Sequence, residues 1–123
     1  MSAKNKEILV VEDDELIRGL QKNKLEKAGY EVDEAQNGLE AWNKIKDNRY
    51  ILILIDVFLP KMDGFQLLKN IRSQEIKAKT IILSSKSQDK YIKKAFDLGA
   101  DSYLTKPFDP ANLIKIVRST LET

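Results

Sequence analysis

The sequence predicts an α/β fold, a doubly wound parallel sheet of five strands in the order 2-1-3-4-5, and three observations predict it. The stretch 51–55, Ile-Leu-Ile-Leu-Ile, is an unbroken aliphatic run, too short for a helix and without alternation, as in a strand covered on both faces. Strand-like and helix-like patterns alternate from end to end, which calls for right-handed crossovers between parallel strands. Two of the apolar runs also discharge acid at their carboxyl ends: Ile8-Leu9-Val10-Val11 runs into Glu12-Asp13-Asp14, and 51–55 runs into Asp56. In the order 2-1-3-4-5 those two strands flank the topological switch point, the crevice where open sheets place their ligands.

Each element follows in turn. Ile8 to Val11 is the first strand, and a helix follows with Leu16, Ile17, Leu20, Leu25 and Ala28 as its inward face and Gly29 as its stop. Tyr30 to Ala35, with Val32 and Glu34 in alternation, suits a strand near the sheet edge. Asn37-Gly38 opens a helix that turns Leu39, Trp42 and Ile45 inward. After the central strand, Pro60 and Gly64 bracket a turn, with Asp63 as a turn residue, and Phe65, Leu67, Leu68 and Ile71 mark the third helix. Thr80 to Leu83 is the fourth strand; Tyr91, Ile92, Ala95 and Phe96 lie on the next helix, which Gly99 ends. Ser102 to Leu104 is a short fifth strand. Asp109-Pro110 starts the last helix in the favoured order, a capping side chain and then proline, with Leu113, Ile114, Ile116, Val117 and Leu121 as its apolar stripe.

Composition narrows the function. The 123 residues suit one domain spanning 1–123. Hydrophobic residues make up 42% and charged residues 33%, ordinary for a globular chain. A net charge of +2 gives no electrostatic case for nucleic acid or an anionic membrane, and the basic run Lys86, Lys90, Lys93 and Lys94 is read as a solvated face. Cysteine and histidine are both absent, so thiolate metal sites, thiol nucleophiles and imidazole acid–base chemistry are excluded. No apolar run approaches the roughly 18 residues that span a bilayer and no signal-peptide core opens the chain, so membrane insertion is not expected and a cytoplasmic location is.

The acidic crevice needs a chemical reason. Like charges about 5 Å apart repel by roughly 3 kcal/mol at an effective dielectric near 20. A hard divalent cation such as Mg2+ relieves that repulsion, takes oxygen ligands and accepts a phosphate oxygen to complete its shell. The same ion would let a carboxylate act as nucleophile toward a phosphoryl group, which makes Asp56 the candidate acceptor. Lys106 follows the fifth strand at the same edge and supplies an ammonium for Asp56 or a phosphoryl oxygen, with Pro107 constraining its loop. Ser84 follows Ile81-Ile82-Leu83 and offers a hydroxyl donor, with the small Ser85 beside it. Asp14 is better read as a helix cap. A phosphohydrolase with an aspartyl nucleophile would want Asp-x-Asp after the first strand, where the chain has Glu12-Asp13-Asp14-Glu15, and no glycine-rich phosphate loop follows that strand.

With these residues in place, the chain resembles the receiver domain of two-component response regulators, in particular the single-domain chemotaxis-type form. The resemblance runs from Ile8 to the last helix and rests on four spaced motifs: Glu12-Asp13; Asp56 with Leu59-Pro60 and Met62-Asp63-Gly64; Leu83-Ser84-Ser85-Lys86; and Lys106-Pro107-Phe108. It implies a flavodoxin-like (βα)5 fold and a signalling switch rather than an enzyme acting on a separate substrate. Asp56 would take a phosphoryl group from a sensor histidine kinase or histidine phosphotransfer protein. Asp13 and Asp56 would bind Mg2+ directly, Glu12 through water, and the backbone carbonyl of Phe58 would complete the set. Ser84 and Tyr103 would form the switch pair, Tyr103 turning inward as the Ser84 hydroxyl moves toward phosphate. Output would be binding to a downstream protein through the face of the fourth helix, fifth strand and fifth helix. Phe58 departs from the smaller or polar residues of many relatives, and its bulk is expected to restrict water.

Overall fold

The computed structural model describes residues 7–123. Five strands alternate with five helices: β1 Glu7–Val11, α1 Glu15–Lys27, β2 Glu31–Ala35, α2 Gly38–Asp47, β3 Leu52–Asp56, α3 Gly64–Ser73, β4 Lys79–Ser84, α4 Asp89–Asp97, β5 Ser102–Thr105 and α5 Pro110–Leu121. Every strand pair is parallel and the order is β2-β1-β3-β4-β5, as the sequence predicts. None of the helices in the described residues is long and apolar enough to cross a membrane.

Strand alternation divides the core into two layers. Leu9, Val11, Ile53, Ile55 and Ile82 pack with Ala41, Ile45, Leu67, Leu68, Ile71 and Ala95, the face covered by α2, α3 and α4. Ile8, Val10, Leu52, Leu54, Ile81 and Leu83 pack with Leu25, Leu113 and Val117, the face covered by α1 and α5. β3 is buried along its whole length, which explains its lack of polar alternation.

Four helices start on a side-chain cap. Asp14 accepts from the Ile17 N–H at 3.0 Å, Asn37 from Glu40 at 2.8 Å, Asp63 from Gln66 at 2.9 Å, and Asp109 from Ala111 at 3.0 Å. Gln88, ahead of α4, makes no such bond. Gly29 and Gly99 end α1 and α4 at φ of 102° and 104°, values that favour glycine.

The inward face predicted for α1 is corrected. Leu16 is 73% exposed, Leu20 63% and Ile17 37%, and Ala28 is only half-buried; Leu25 is buried as expected, and Gln21 joins it. Helix geometry accounts for the leucines: at about 100° per residue, Leu20 is turned about 100° from Gln21, Leu16 about 140° and Ile17 about 40°. Ile17 and Leu20 line a groove of about 460 Å³ shared with Phe108, Pro110 and Leu113. Leu39 in the first turn of α2 and Phe96 on α4 are likewise exposed at 46% each.

Candidate functional site

Strand register assembles the site. Val11 pairs with Ile55, so one further residue on each strand brings Glu12 beside Asp56 at the carboxyl edge. Asp56 pairs with Leu83 and Ser84 with Thr105, so Ser84 and Lys106 emerge at the same edge, and the Lys106 N–H donates to the Ser84 carbonyl at 2.7 Å. Oxygens of Glu12, Asp13 and Asp56 all lie within 4.8 Å of one another. Glu12 and Asp56 are buried while Asp13 is exposed, which leaves the cluster open to solvent on one side.

One ammonium serves the two buried acids. Lys106 Nζ lies 3.0 Å from Glu12 Oε1 and 3.5 Å from Asp56 Oδ2, so its nearer partner is Glu12 rather than the Asp56 expected from the sequence. Glu12 Oε2 accepts from the Asp14 N–H at 3.2 Å, which orients the carboxylate. Burial pushes the Glu12 carboxyl above its ordinary value and the Asp56 charge pushes it further, with Lys106 opposing. Burial likewise raises Asp56, against the pull of Lys106. Burial pulls Lys106 down, but its bond to Glu12 and the charges of both acids outweigh that and hold it above the usual lysine value. The pocket thus holds more negative charge than its single cation balances. Those carboxylates and the water-facing side suit Mg2+, which prefers a few oxygen ligands and retains water.

The loop between β3 and α3 is held close to the acceptor. A Cβ on Gly64 would sit 2.4 Å from the Asp56 carbonyl oxygen and 2.8 Å from Val57 Cα, so only glycine allows α3 to begin against the end of β3. The Gly64 N–H also donates to the Val57 carbonyl at 2.8 Å. The Lys106–Pro107 peptide is cis.

Lys86 is the residue that sequence reading underrated. Its N–H donates to Ser84 Oγ at 3.0 Å and its carbonyl accepts from the Tyr103 hydroxyl at 2.7 Å. Its ammonium lies 5.8 Å from the centre of the Phe58 ring and 6.0 Å from that of Tyr91. The two expected switch residues, Ser84 and Tyr103, are therefore joined through the backbone of Lys86, and the Tyr103 ring is already half-buried. Only the position two residues past Ser84 hinted at this, since a lysine in a basic run carries no distinguishing pattern.

A family profile described as the response regulator receiver domain matches residues 8–118. The chain belongs to the response regulator receiver family. Receiver domains are signalling switches of two-component systems; they bind Mg2+ and interact with histidine kinases and downstream targets. The transcriptional regulatory protein SrrA of Staphylococcus aureus is 38% identical over 115 residues, which cover 94% of this chain and 47% of SrrA. The chain thus spans about half the length of the curated relatives it matches. Among solved structures, a CheY-like receiver domain protein from Methanospirillum hungatei is 32% identical with a TM-score of 0.91, covering 97% of this chain and 95% of that one. The response regulator TrrA of Thermotoga maritima, solved in complex with Mg2+-BeF, is 35% identical with a TM-score of 0.84, covering 94% of this chain and 98% of that one.

Proposed function

We propose that this receiver domain is switched by transfer of a phosphoryl group to Asp56, in a Mg2+-dependent reaction, from the phosphohistidine of a sensor histidine kinase or a histidine phosphotransfer protein. The observation that carries the reading is the convergence of Glu12, Asp13 and Asp56 within 4.8 Å, beside Lys106 and Ser84, at one sheet edge. Asp13 and Asp56 would hold the cation directly, Glu12 through water, and the Phe58 carbonyl would complete the set. When bound, the ion would neutralise phosphoryl oxygens and offset the carboxylate excess.

The chain's own groups have defined tasks in this reading. An Asp56 carboxylate oxygen attacks phosphorus, the P–N bond to the donor imidazole breaks, and the electron pair leaves on that nitrogen. Lys106 moves from Glu12 toward a phosphoryl oxygen, a charge-assisted contact made stronger by its partly buried setting. The Ser84 oxygen accepts from Lys86, so its own O–H remains available to donate to a second phosphoryl oxygen. Drawing Ser84 inward loosens the Lys86 N–H, and Lys86 is also the partner of Tyr103, so the change passes to β5 and α4. Helix α4 suits an element that shifts: it has no side-chain cap at its start and Ala95 is its one fully buried residue. The proposed output is altered binding of a downstream protein at the face of α4, β5 and α5. Hydrolysis of the acyl phosphate by water returns the domain to its resting state.

The test is incubation with a small acyl phosphate, with and without Mg2+. The wild-type chain takes up one phosphoryl group only with the ion, and the Asp56→Asn chain takes up none. Equal labelling of the two chains would refute the acceptor assignment.

A further inference from the structure

We propose that Arg18 is a positioning residue for the metal-binding turn: held by Glu34, it clamps the backbone of Glu12 and so aims Asp13 at the cation. The inference rests on the Mg2+ role of Asp13 proposed above. Arg18 Nη1 donates to the Glu12 carbonyl at 2.9 Å, and Arg18 Nε donates to Glu34 Oε1 at 3.0 Å. The Arg18 side chain is only 14% exposed, so water competes little for either bond. The Glu12 N–H donates to the Ala35 carbonyl at 3.1 Å, and Ala35 follows Glu34 on β2. Both backbone groups of Glu12 are thus engaged, the N–H by β2 and the carbonyl by α1, and Glu34 ties those two anchors to each other.

Asp13 depends on that clamp. Its side chain is exposed, and among the described residues no hydrogen bond or ion pair holds it, so its carboxylate is placed by its backbone alone. The Glu12 carbonyl shares one peptide plane with the Asp13 nitrogen and Cα, so a bond that fixes the carbonyl also fixes how the chain enters Asp13. On the far side the Asp14 N–H donates to Glu12 Oε2 at 3.2 Å, and the Asp14 carbonyl accepts from the Arg18 N–H at 2.9 Å. Asp13 therefore stands between two immobilised peptides, and Arg18 takes part in holding both.

An exposed ion pair between neighbouring elements contributes little, and that would be the plain reading of Arg18 and Glu34. The bond to a backbone carbonyl at the start of the acidic turn sets this arginine apart. A planar guanidinium meets two acceptors at once in fixed directions, which a single ammonium does not reproduce. Its positive charge would by itself oppose a cation nearby, and Glu34 offsets it. Burial works against the Glu34 charge, but bonds from Lys22 and Arg18 outweigh that and hold the carboxyl below its ordinary 4.5, so it is ionised at neutral pH. Lys22 shares Glu34, at 3.1 Å, and makes no bond to Glu12 among the described residues. Groups that orient metal ligands in this way change metal affinity by roughly ten- to a hundredfold when removed.

The experiment is to titrate the metal-free chain with Mg2+ and follow the backbone amide NMR shifts of residues 12–14, which gives the dissociation constant with no phosphoryl donor present. Arg18→Met is expected to bind Mg2+ about tenfold more weakly than wild type. Arg18→Lys, which keeps the charge without the planar fork, loses about threefold. Glu34→Gln, which keeps an oxygen acceptor but uncovers the guanidinium charge, also loses about threefold, and that loss shrinks at high salt. Lys22→Met stays within about twofold of wild type. Arg72→Ala removes an arginine bonded to the Gly99, Ile76 and Ala78 carbonyls at the opposite end of β4 from Ser84, and it keeps wild-type affinity because general loosening is not the cause. Wild-type affinity in a folded Arg18→Met chain, or an equal loss in Arg72→Ala, overturns the clamp and leaves the metal site standing. If Arg18→Met does not fold, wild-type affinity in both Arg18→Lys and Glu34→Gln overturns it instead. A wild-type chain whose amides do not respond to Mg2+ overturns the metal reading, and the clamp with it.

Discussion

Strand β4 begins at one polar cluster and ends at another, and the two are built differently. At its start, Arg72 of α3 donates to the carbonyls of Gly99, Ile76 and Ala78 at 3.0, 2.8 and 3.0 Å, to Thr80 Oγ1 at 3.2 Å and to Asp101 Oδ2 at 2.9 Å. Asp101 in turn accepts from the Thr80 N–H at 2.9 Å, so one cation and one carboxylate close a set of mutually satisfied groups. At its end, Ser84 lies beside a cluster in which two buried carboxylates share the Lys106 ammonium and a third, exposed one stands close by. The first cluster matches charge for charge and bond for bond, while the second leaves negative charge uncompensated. Surplus charge held at a sheet edge is a capacity to bind a cation, and its stability cost marks the functional end of the strand.

The comparison can be broken at the Arg72 end first. Arg72→Ala strands three backbone carbonyls and Asp101, and is expected to cost about 3 kcal/mol, read as a lowered midpoint in urea unfolding. A cost below about 1 kcal/mol would mean that this cluster is no better matched than the pocket. Lys106→Met should cost about 2 kcal/mol near neutral pH, because among the described residues it removes the only cation paired with Glu12 and Asp56. Adding Mg2+ should recover part of that loss, as ligand binding favours the folded state.

Asp56→Asn sharpens the contrast with the opposite sign. Removing a surplus charge should stabilise the metal-free chain by on the order of 1 kcal/mol, seen as a higher thermal midpoint. The pH dependence follows from the same shifts. Glu12 and Asp56 have folded values raised above their ordinary 4.5 and 3.8, so the folded state binds more protons there and stability falls as pH rises from about 4 through the raised values. In Asp56→Asn that loss should shrink. Wild-type stability that rose over this interval because of these two acids would contradict the assignment.

The smallest effect is expected on β2. Burial works against the Asp33 charge, but bonds from the Tyr50 hydroxyl at 2.7 Å and Lys44 at 3.1 Å outweigh it and hold the carboxyl below its ordinary 3.8. That contribution is present above the ordinary value and is lost as pH falls through the depressed one. Tyr50→Phe should therefore cost about 0.5–1 kcal/mol at neutral pH and less in acid, measured by chemical unfolding at several pH values.

Much of this architecture was legible because it is written in patterns that physics makes periodic or abrupt. The run 51–55 is aliphatic because β3 is buried along its length, and the acids beyond Val11 and at Asp56 stand out because they interrupt such runs. The caps Asp14, Asn37 and Asp109 are local signals and lie where the sequence places helix starts, while Asp63, read from the sequence as a turn residue, caps α3 as well. The outer face of α1 was not legible, since Leu16, Ile17 and Leu20 mimic a core stripe while the helix docks through Gln21 and Leu25. Nor was the preference of Lys106 for Glu12 over Asp56, a matter of 3.0 against 3.5 Å set by side-chain packing. Lys86 was underrated because its part depends on tertiary contacts, to the Phe58 and Tyr91 rings and the Tyr103 hydroxyl, two of them from residues distant in sequence.

The most direct test of the unbalanced pocket is to map the phosphoryl group by mass spectrometry after incubation with a small acyl phosphate and Mg2+. The account predicts one added group on the peptide containing Asp56, abolished by Asp56→Asn and by chelating the cation, and strongly reduced by Asp13→Asn. Phosphate on another residue, or uptake indifferent to Mg2+ and to Asp13, would contradict it.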